Sequence, residues 1–212
     1  MESAEFRGNA RKKSAEKTYS IPGGIYILGG IKHSGKSSIG KAAAKMLFIP
    51  FFDLDNLMVD KCGSGIKSAR DIYNKYGKEG FQKIETDALE NFIEYIKKEQ
   101  IKSCILALGG GTIENSGASA ILEKSAEESG IKIYLKAPRE LLYSRIIKKG
   151  IPPFLSKENP EKDFSVLYSR RDSLYSAFAD IIYKVRENVP VEENARNLCG
   201  VLEEKYAGKY IR

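Results

Sequence analysis

Apolar residues fall along this chain in five short runs, separated by more polar stretches of helical period. The runs are "GIYILGG", "IPFFDLD", "SCILALGGG", "GIKIYLKAP" and "ADIIYKV". Each is nearly continuous in hydrophobicity, which is the pattern of a strand covered on both faces. Between them "GKSSIGKAAAKML" is rich in Ala and Lys, with apolar residues at helical spacing. "QKIETDALENFIEYIKKE" places Ile84, Leu89, Phe92, Ile93 and Ile96 along one face. "RELLYSRIIKKG" ends in Lys, Lys and Gly, a good helix stop, and "EENARNLCGVLEEKY" closes the chain. Strand and helix in alternation predict a three-layer α/β domain around a parallel sheet.

Two segments break the alternation. Residues 56 to 80 form a long excursion after the second run, and residues 150 to 166, "GIPPFLSKENPEKDFSV", are Pro-rich and polar. Open α/β sheets bind ligands beyond the carboxyl ends of their strands. Both segments leave near that edge, so a substrate cap over 56–90 and a closing lid over 148–167 are expected on a single domain spanning 21–212. Residues 1–20 are polar, basic and without period. They contain no apolar core of a secretory signal, and a frayed tail is expected.

Composition changes this picture little. With 212 residues, 42% hydrophobic and 30% charged, the chain can bury one core. No apolar run approaches the roughly 18 residues that cross a bilayer. The net charge of +7 suits an anionic partner. No stacking platform or reader motif accompanies it, so nucleic acid is not the expected partner. Cys62, Cys104 and Cys199 are scattered, form no CxxC pair and share the chain with one His. Zinc is not expected, a cytoplasmic setting is, and Cys104 reads as core.

The chemistry starts at "GIKHSGKS", Gly30 to Ser37, which fits GxxxxGK[ST] between a strand and a helix. Glycines there allow successive N–H groups to turn inward and cradle phosphate at a helix N-terminus. A nucleotide's phosphates are expected on Gly30, His33, Ser34, Gly35, Lys36, Ser37 and Ser38, with Lys36 on the β- and γ-phosphates and Ser37 on Mg²⁺. His33 is the only histidine, and its backbone is expected to serve while its ring faces outward.

"FFDLD" ends the second run with Asp53 and Asp55, which share one face of an extended chain. One could hold Mg²⁺ through water and the other accept a hydroxyl proton. A turn or helix cap is the alternative use of an Asp at this place. "LALGGGTI" places Gly109, Gly110 and Gly111 at the end of the third run, where something must approach the backbone closely. That run carries no terminal acid, so Mg²⁺ must take its carboxylate elsewhere, and Asp53 is the natural supplier.

The ordered set of P-loop, DxD on the second strand, G-x-x-x-F-x-x-x-E in "GKEGFQKIE" (Gly77 to Glu85) and GGG on the third strand resembles the shikimate kinase family. "RRDSLYSAFAD" (Arg170 to Asp180) is also similar, and the likeness runs from about Ile25 to about Lys205. Gluconate kinases share the P-loop and the acidic second strand but lack the triple glycine. The resemblance implies a five-stranded parallel sheet and a monomer that transfers the ATP γ-phosphate to the 3-hydroxyl of shikimate. Lys36 would stabilise the transferring phosphoryl, and Ser37 and Asp53 would serve Mg²⁺. Asp55 would bind the acceptor and act as base, Gly109 to Gly111 would pack against its ring, and Arg171 would grip its carboxylate.

Four positions depart from that family. Gln82 stands where an arginine makes the second grip on the carboxylate. Pro152 stands at the lid arginine, with Lys148 and Lys149 nearby as possible substitutes. His33 replaces the P-loop's middle glycine, and Ser173 replaces a proline. These departures leave two other readings open. One is a kinase of the same fold acting on another polyol or sugar acid; the other is a weakly active nucleotide-binding regulator.

Overall fold

The computed structural model describes residues 18–128, 130–148, 150–151 and 155–207. Residues 1–17 of the expected tail, Lys149 and Pro152 lie outside them. The chain is already held where the description begins. The Ser20 N–H donates to Glu203 at 3.1 Å, and Tyr19 and Ile21 pack against the core.

All five apolar runs form strands: β1 (Gly24–Gly29), β2 (Phe51–Asp53), β3 (Ser103–Ala107), β4 (Gly130–Lys136) and β5 (Ile181–Lys184). They pair in parallel in the order β2-β3-β1-β4-β5. Every residue of β1 is buried, so helices cover both faces of the sheet centre. Two-sided burial does not extend to the edges. In β5 burial alternates, and β2 is half-buried throughout, because an edge strand has a neighbour on one side only.

The helices are α1 (Lys36–Leu47), α2 (Leu54–Cys62), α3 (Ala69–Lys98), α4 (Ser116–Glu128), α5 (Arg139–Ile147), α6 (Pro160–Phe178) and α7 (Val191–Tyr206). α1 packs along α7, and α3 along α2 and α4. The apolar face expected on residues 82–99 is seen. Leu89, Phe92 and Ile96 are buried, while Ile84 and Ile93 pack on the core rim.

One expectation needs correction, the placement of Asp55, and two expected segments take definite secondary structure. The excursion over 56–80 is largely helical. α2 fills its first part, and α3 begins at Ala69, behind a Ser68 cap that accepts from Asp71 N–H. Gly77, at φ 67°, breaks α3 into two helices. Residues 160–166 of the expected lid are the first turns of α6, started by Pro160, whose missing N–H is no loss there. Finally, Asp55 is not on a strand. β2 stops at Asp53, and Asp55 lies in the first turn of α2.

Candidate active site

β2, β3 and β1 are neighbours in the sheet, so the segments leaving their carboxyl ends meet at one edge. The segment after β1 is the phosphate cradle. Gly30, His33 and Gly35 all have positive φ, at 149°, 68° and 97°. Glycine takes this conformation without a Cβ penalty, and histidine is among the residues that tolerate it. The His33 carbonyl accepts a hydrogen bond from Arg145 Nη1 on α5 at 2.9 Å. Ser34 Oγ is buried and has no hydrogen-bond partner among the described residues. Lys36 is buried, and its Nζ donates to the Gly30 and Ile31 carbonyls at 2.8 and 3.2 Å. Burial pulls its pKa down to about 8, although Asp55 and Asp53 pull the other way.

Asp53 does two jobs. It caps α2 by accepting from Asp55 N–H at 3.1 Å, and it accepts from Ser37 Oγ at 2.5 Å. The turn-or-cap reading of Asp53 is what the structure shows, and its second hydrogen bond places it beside the Ser37 hydroxyl. A serine hydroxyl and a carboxylate side by side are hard oxygen donors of the kind Mg²⁺ takes. No group of three or more His, Cys, Asp or Glu side chains suited to a metal occurs among the described residues. Mg²⁺ commonly takes one or two protein oxygens together with water and phosphate oxygens rather than an all-protein cage. The inward-turned loop, the unpartnered Ser34 hydroxyl and the ammonium of Lys36 likewise fit a nucleotide's phosphates.

Asp55 comes from the first turn of α2. Burial raises its pKa, the Asp53 charge raises it further, and Lys36 and Lys32 oppose the shift. A Cβ placed on Gly109 would lie 3.2 Å from Asp55 Oδ1 and 3.2 Å from Glu85 Oε1. On Gly110 it would lie 2.9 Å from the backbone nitrogen of Lys32, and on Gly111 2.9 Å from Arg171 Nη2. The three glycines therefore form a floor that Thr112, the P-loop and α6 approach more closely than a Cβ allows, with Asp55 and Glu85 in tight contact beside them. This is the close approach expected at "GGG", made here by the protein's own groups.

Arg171 and Lys36 come within electrostatic reach of each other although 135 positions separate them in the chain. α6 is fixed against the sheet by two residues that follow Arg171. Asp172 accepts from Tyr134 Oη and from Lys136 Nζ, each at 2.8 Å. Tyr175, fully buried, stacks on Tyr134 and donates to the Gly109 carbonyl at 3.1 Å. Ser173 continues the helix and bonds the Ser169 carbonyl at 3.0 Å.

Several of these groups were not picked out in the sequence. Glu114 binds Arg171 through Nε at 3.0 Å and Nη2 at 2.7 Å, and Arg170 Nε at 2.6 Å. Burial alone would raise the Glu114 pKa, but the two guanidiniums outweigh it and hold it below the usual range. Glu85, the last residue of the G-x-x-x-F-x-x-x-E pattern, is buried and accepts from Thr112 Oγ1 at 2.6 Å and Asn115 Nδ2 at 2.9 Å. It ties α3 to the turn after the triple glycine, and its pKa is raised by burial against those two bonds. Gln82 lies three residues earlier, on the same helical face, and brings no charge. Arg145, Asp172 and Tyr175 carry no local signal because each acts across the sheet edge. The three cysteines are free, and burial pushes the Cys104 thiol up to about 12, as suits a core residue. Lys148 is exposed at the end of α5. No described helix is long and apolar enough to cross a membrane.

Comparison with known proteins agrees with this geometry. The family model described as shikimate kinase matches residues 32–203. The shikimate kinase of Chlamydia pneumoniae is 32% identical over 160 residues, which cover 75% of this chain and 85% of that protein. That of Caldanaerobacter subterraneus subsp. tengcongensis is 33% identical over 172 residues, covering 81% and 92%. The solved structure of shikimate kinase from Acinetobacter baumannii in complex with shikimate superimposes with a TM-score of 0.69 at 28% identity, covering 92% of this chain and 97% of that one. With a parallel sheet of the same kind, a P-loop on its central strand and a family match over most of its length, the chain belongs to the shikimate kinase family.

Proposed function

We propose that the protein is an ATP-dependent kinase that phosphorylates the 3-hydroxyl of shikimate. The observation that carries this reading is the convergence of Lys36, the Ser37–Asp53 pair, Asp55 and Arg171 around one glycine floor. In this reading Lys36, Ser37 and Asp53 serve the phosphate side, and Asp55 and Arg171 serve the hydroxylated acid.

In this reading the P-loop and Lys36 hold the ATP phosphates. Mg²⁺, bound at Ser37 and through water at Asp53, would neutralise phosphate charge. Asp55 orients the acceptor hydroxyl and takes its proton as the oxygen attacks the γ-phosphorus. The bond to the bridging oxygen breaks and ADP leaves. Most of the catalysis is positioning and charge neutralisation, as in other phosphoryl transfers. The raised pKa of Asp55 suits a proton acceptor, because a carboxylate made more basic by burial takes a proton more readily. In this reading Arg171, beside Gly111, meets the acceptor's carboxylate, and Arg145, bonded to the P-loop, supplies a cation on the phosphate side in addition to Lys148 and Lys149.

A second acceptor class is favoured by one observation. Glu114 already neutralises part of Arg171, which would suit an uncharged polyol. Coupled ADP release with Mg-ATP and shikimate, gluconate or neutral polyols decides between them. Strong stimulation by shikimate alone is expected; stimulation by a neutral polyol and not by shikimate would refute the assignment.

A further inference from the structure

The glycine floor meets a residue with an ionisable side chain at each of its three positions. Gly109 faces Asp55 and Glu85, and Gly111 faces the Arg171 guanidinium. Between them Gly110 faces Lys32, whose Cβ lies 3.2 Å from where a Cβ on Gly110 would be. Consecutive Cα atoms are about 3.8 Å apart, so the stem of Lys32 starts at the glycine next to those that face Asp55, Glu85 and Arg171. Its side chain is exposed and long enough to swing over the floor. Its charge is already felt at both Asp55 and Lys36.

The charge balance at this floor calls for such a group. An acidic acceptor would enter beside two carboxylates, the half-buried Asp55 and the buried Glu85. Arg171 shares Glu114 with Arg170, so its own charge is partly neutralised. Gln82 brings none. Lys36 is committed to the phosphate side, bonded to the carbonyls of Gly30 and Ile31.

Resting on the shikimate reading, we propose that Lys32 is a specificity-determining residue, pairing with the acceptor's carboxylate from the P-loop side while Arg171 holds it from α6. The P-loop then serves both substrates, with its backbone on ATP and the Lys32 side chain on the acid. The arrangement makes the acceptor's charge readable by a residue at a loop position that phosphate binding leaves open to any side chain.

The test uses the full-length wild type, Lys32→Met and Lys32→Arg in the coupled ADP assay, with shikimate and with its methyl ester. Losing one charge-assisted contact predicts a rise of about ten- to hundredfold in the shikimate KM of Lys32→Met. The KM for ATP should move less than about twofold, and Lys32→Arg should recover most of the loss. With the ester, whose carboxylate is masked, wild type and Lys32→Met should behave alike. An unchanged shikimate KM, a rise confined to ATP, or an equal loss with the ester would overturn the assignment. A wild type that does not turn over shikimate would instead refute the functional reading on which it rests.

Discussion

ATP binding should take up a proton at mildly alkaline pH, and Lys36 should be the group that receives it. Burial draws its pKa from 10.5 to about 8. The unliganded protein therefore carries Lys36 about half charged at pH 8 and about one-tenth charged at pH 9. Phosphate oxygens beside the ammonium favour the charged form and move the pKa back up. Binding should then take up less than about 0.1 proton at pH 7, about 0.5 at pH 8 and about 0.9 at pH 9. Titration calorimetry in pairs of buffers with different ionisation enthalpies reads this number directly. The same shift has a stability consequence of definite sign. Between pH 8 and 10.5 the unfolded chain holds more protons at this lysine than the folded one, so its penalty is full below pH 8 and fades as pH rises through that window. Lys36→Met should therefore be more stable than wild type at pH 7, by up to about 3 kcal/mol, with the gap closing toward pH 10. A wild type that binds ATP at pH 8–9 without proton uptake would refute the reasoning, as would a Lys36→Met gap that does not change with pH.

Three further outcomes follow from the same geometry. Asp55→Asn should leave the KM for ATP nearly unchanged and cut kcat by at least about a hundredfold. It should also raise stability at neutral pH, because a carboxylate whose pKa is raised by burial weakens the fold once it ionises; unchanged turnover would remove Asp55 from the base role. Glu114→Gln should cost about 1 kcal/mol in denaturant melts at pH 7. That cost should be present above the ordinary value of 4.5 and vanish as acid titrates the carboxylate below it, since Arg171 and Arg170 hold the Glu114 pKa down against burial; a cost independent of pH would refute the pairing. His33→Val should lose about 1–2 kcal/mol relative to His33→Gly, because a β-branched residue at φ 68° is strained, and equal melting temperatures would remove that strain from the account.

Much of this protein was legible before any coordinates. Continuous apolar runs mark the sheet because a strand covered on both faces must be apolar along its length. The P-loop is a local device: strand, glycine turn and helix start are consecutive, so "GIKHSGKS" specifies its own conformation. Asp53 and the triple glycine were visible for the same reason, since each ends a strand at the edge where such sheets bind ligands. Local pattern failed at helices without a wide apolar stripe. α2 buries only Leu54 and Met58, so residues 54–62 carry no clear helical stripe, and Asp55 looked like the end of a strand.

What the sequence could not show was which distant side chains would meet. Arg171 and Glu114 are 57 positions apart, and Arg145 and His33 are 112 apart. Gly110 and Lys32 touch only because β3 and β1 pair in register, Leu28 opposite Ala107, so that the segments leaving them run side by side. The sequence by itself determined the sheet, the phosphate loop and the acid that ends β2, since each follows from residues close along the chain. The tertiary structure alone decided the charge balance of the acceptor floor, because electrostatic energy depends on distance through space rather than along the chain.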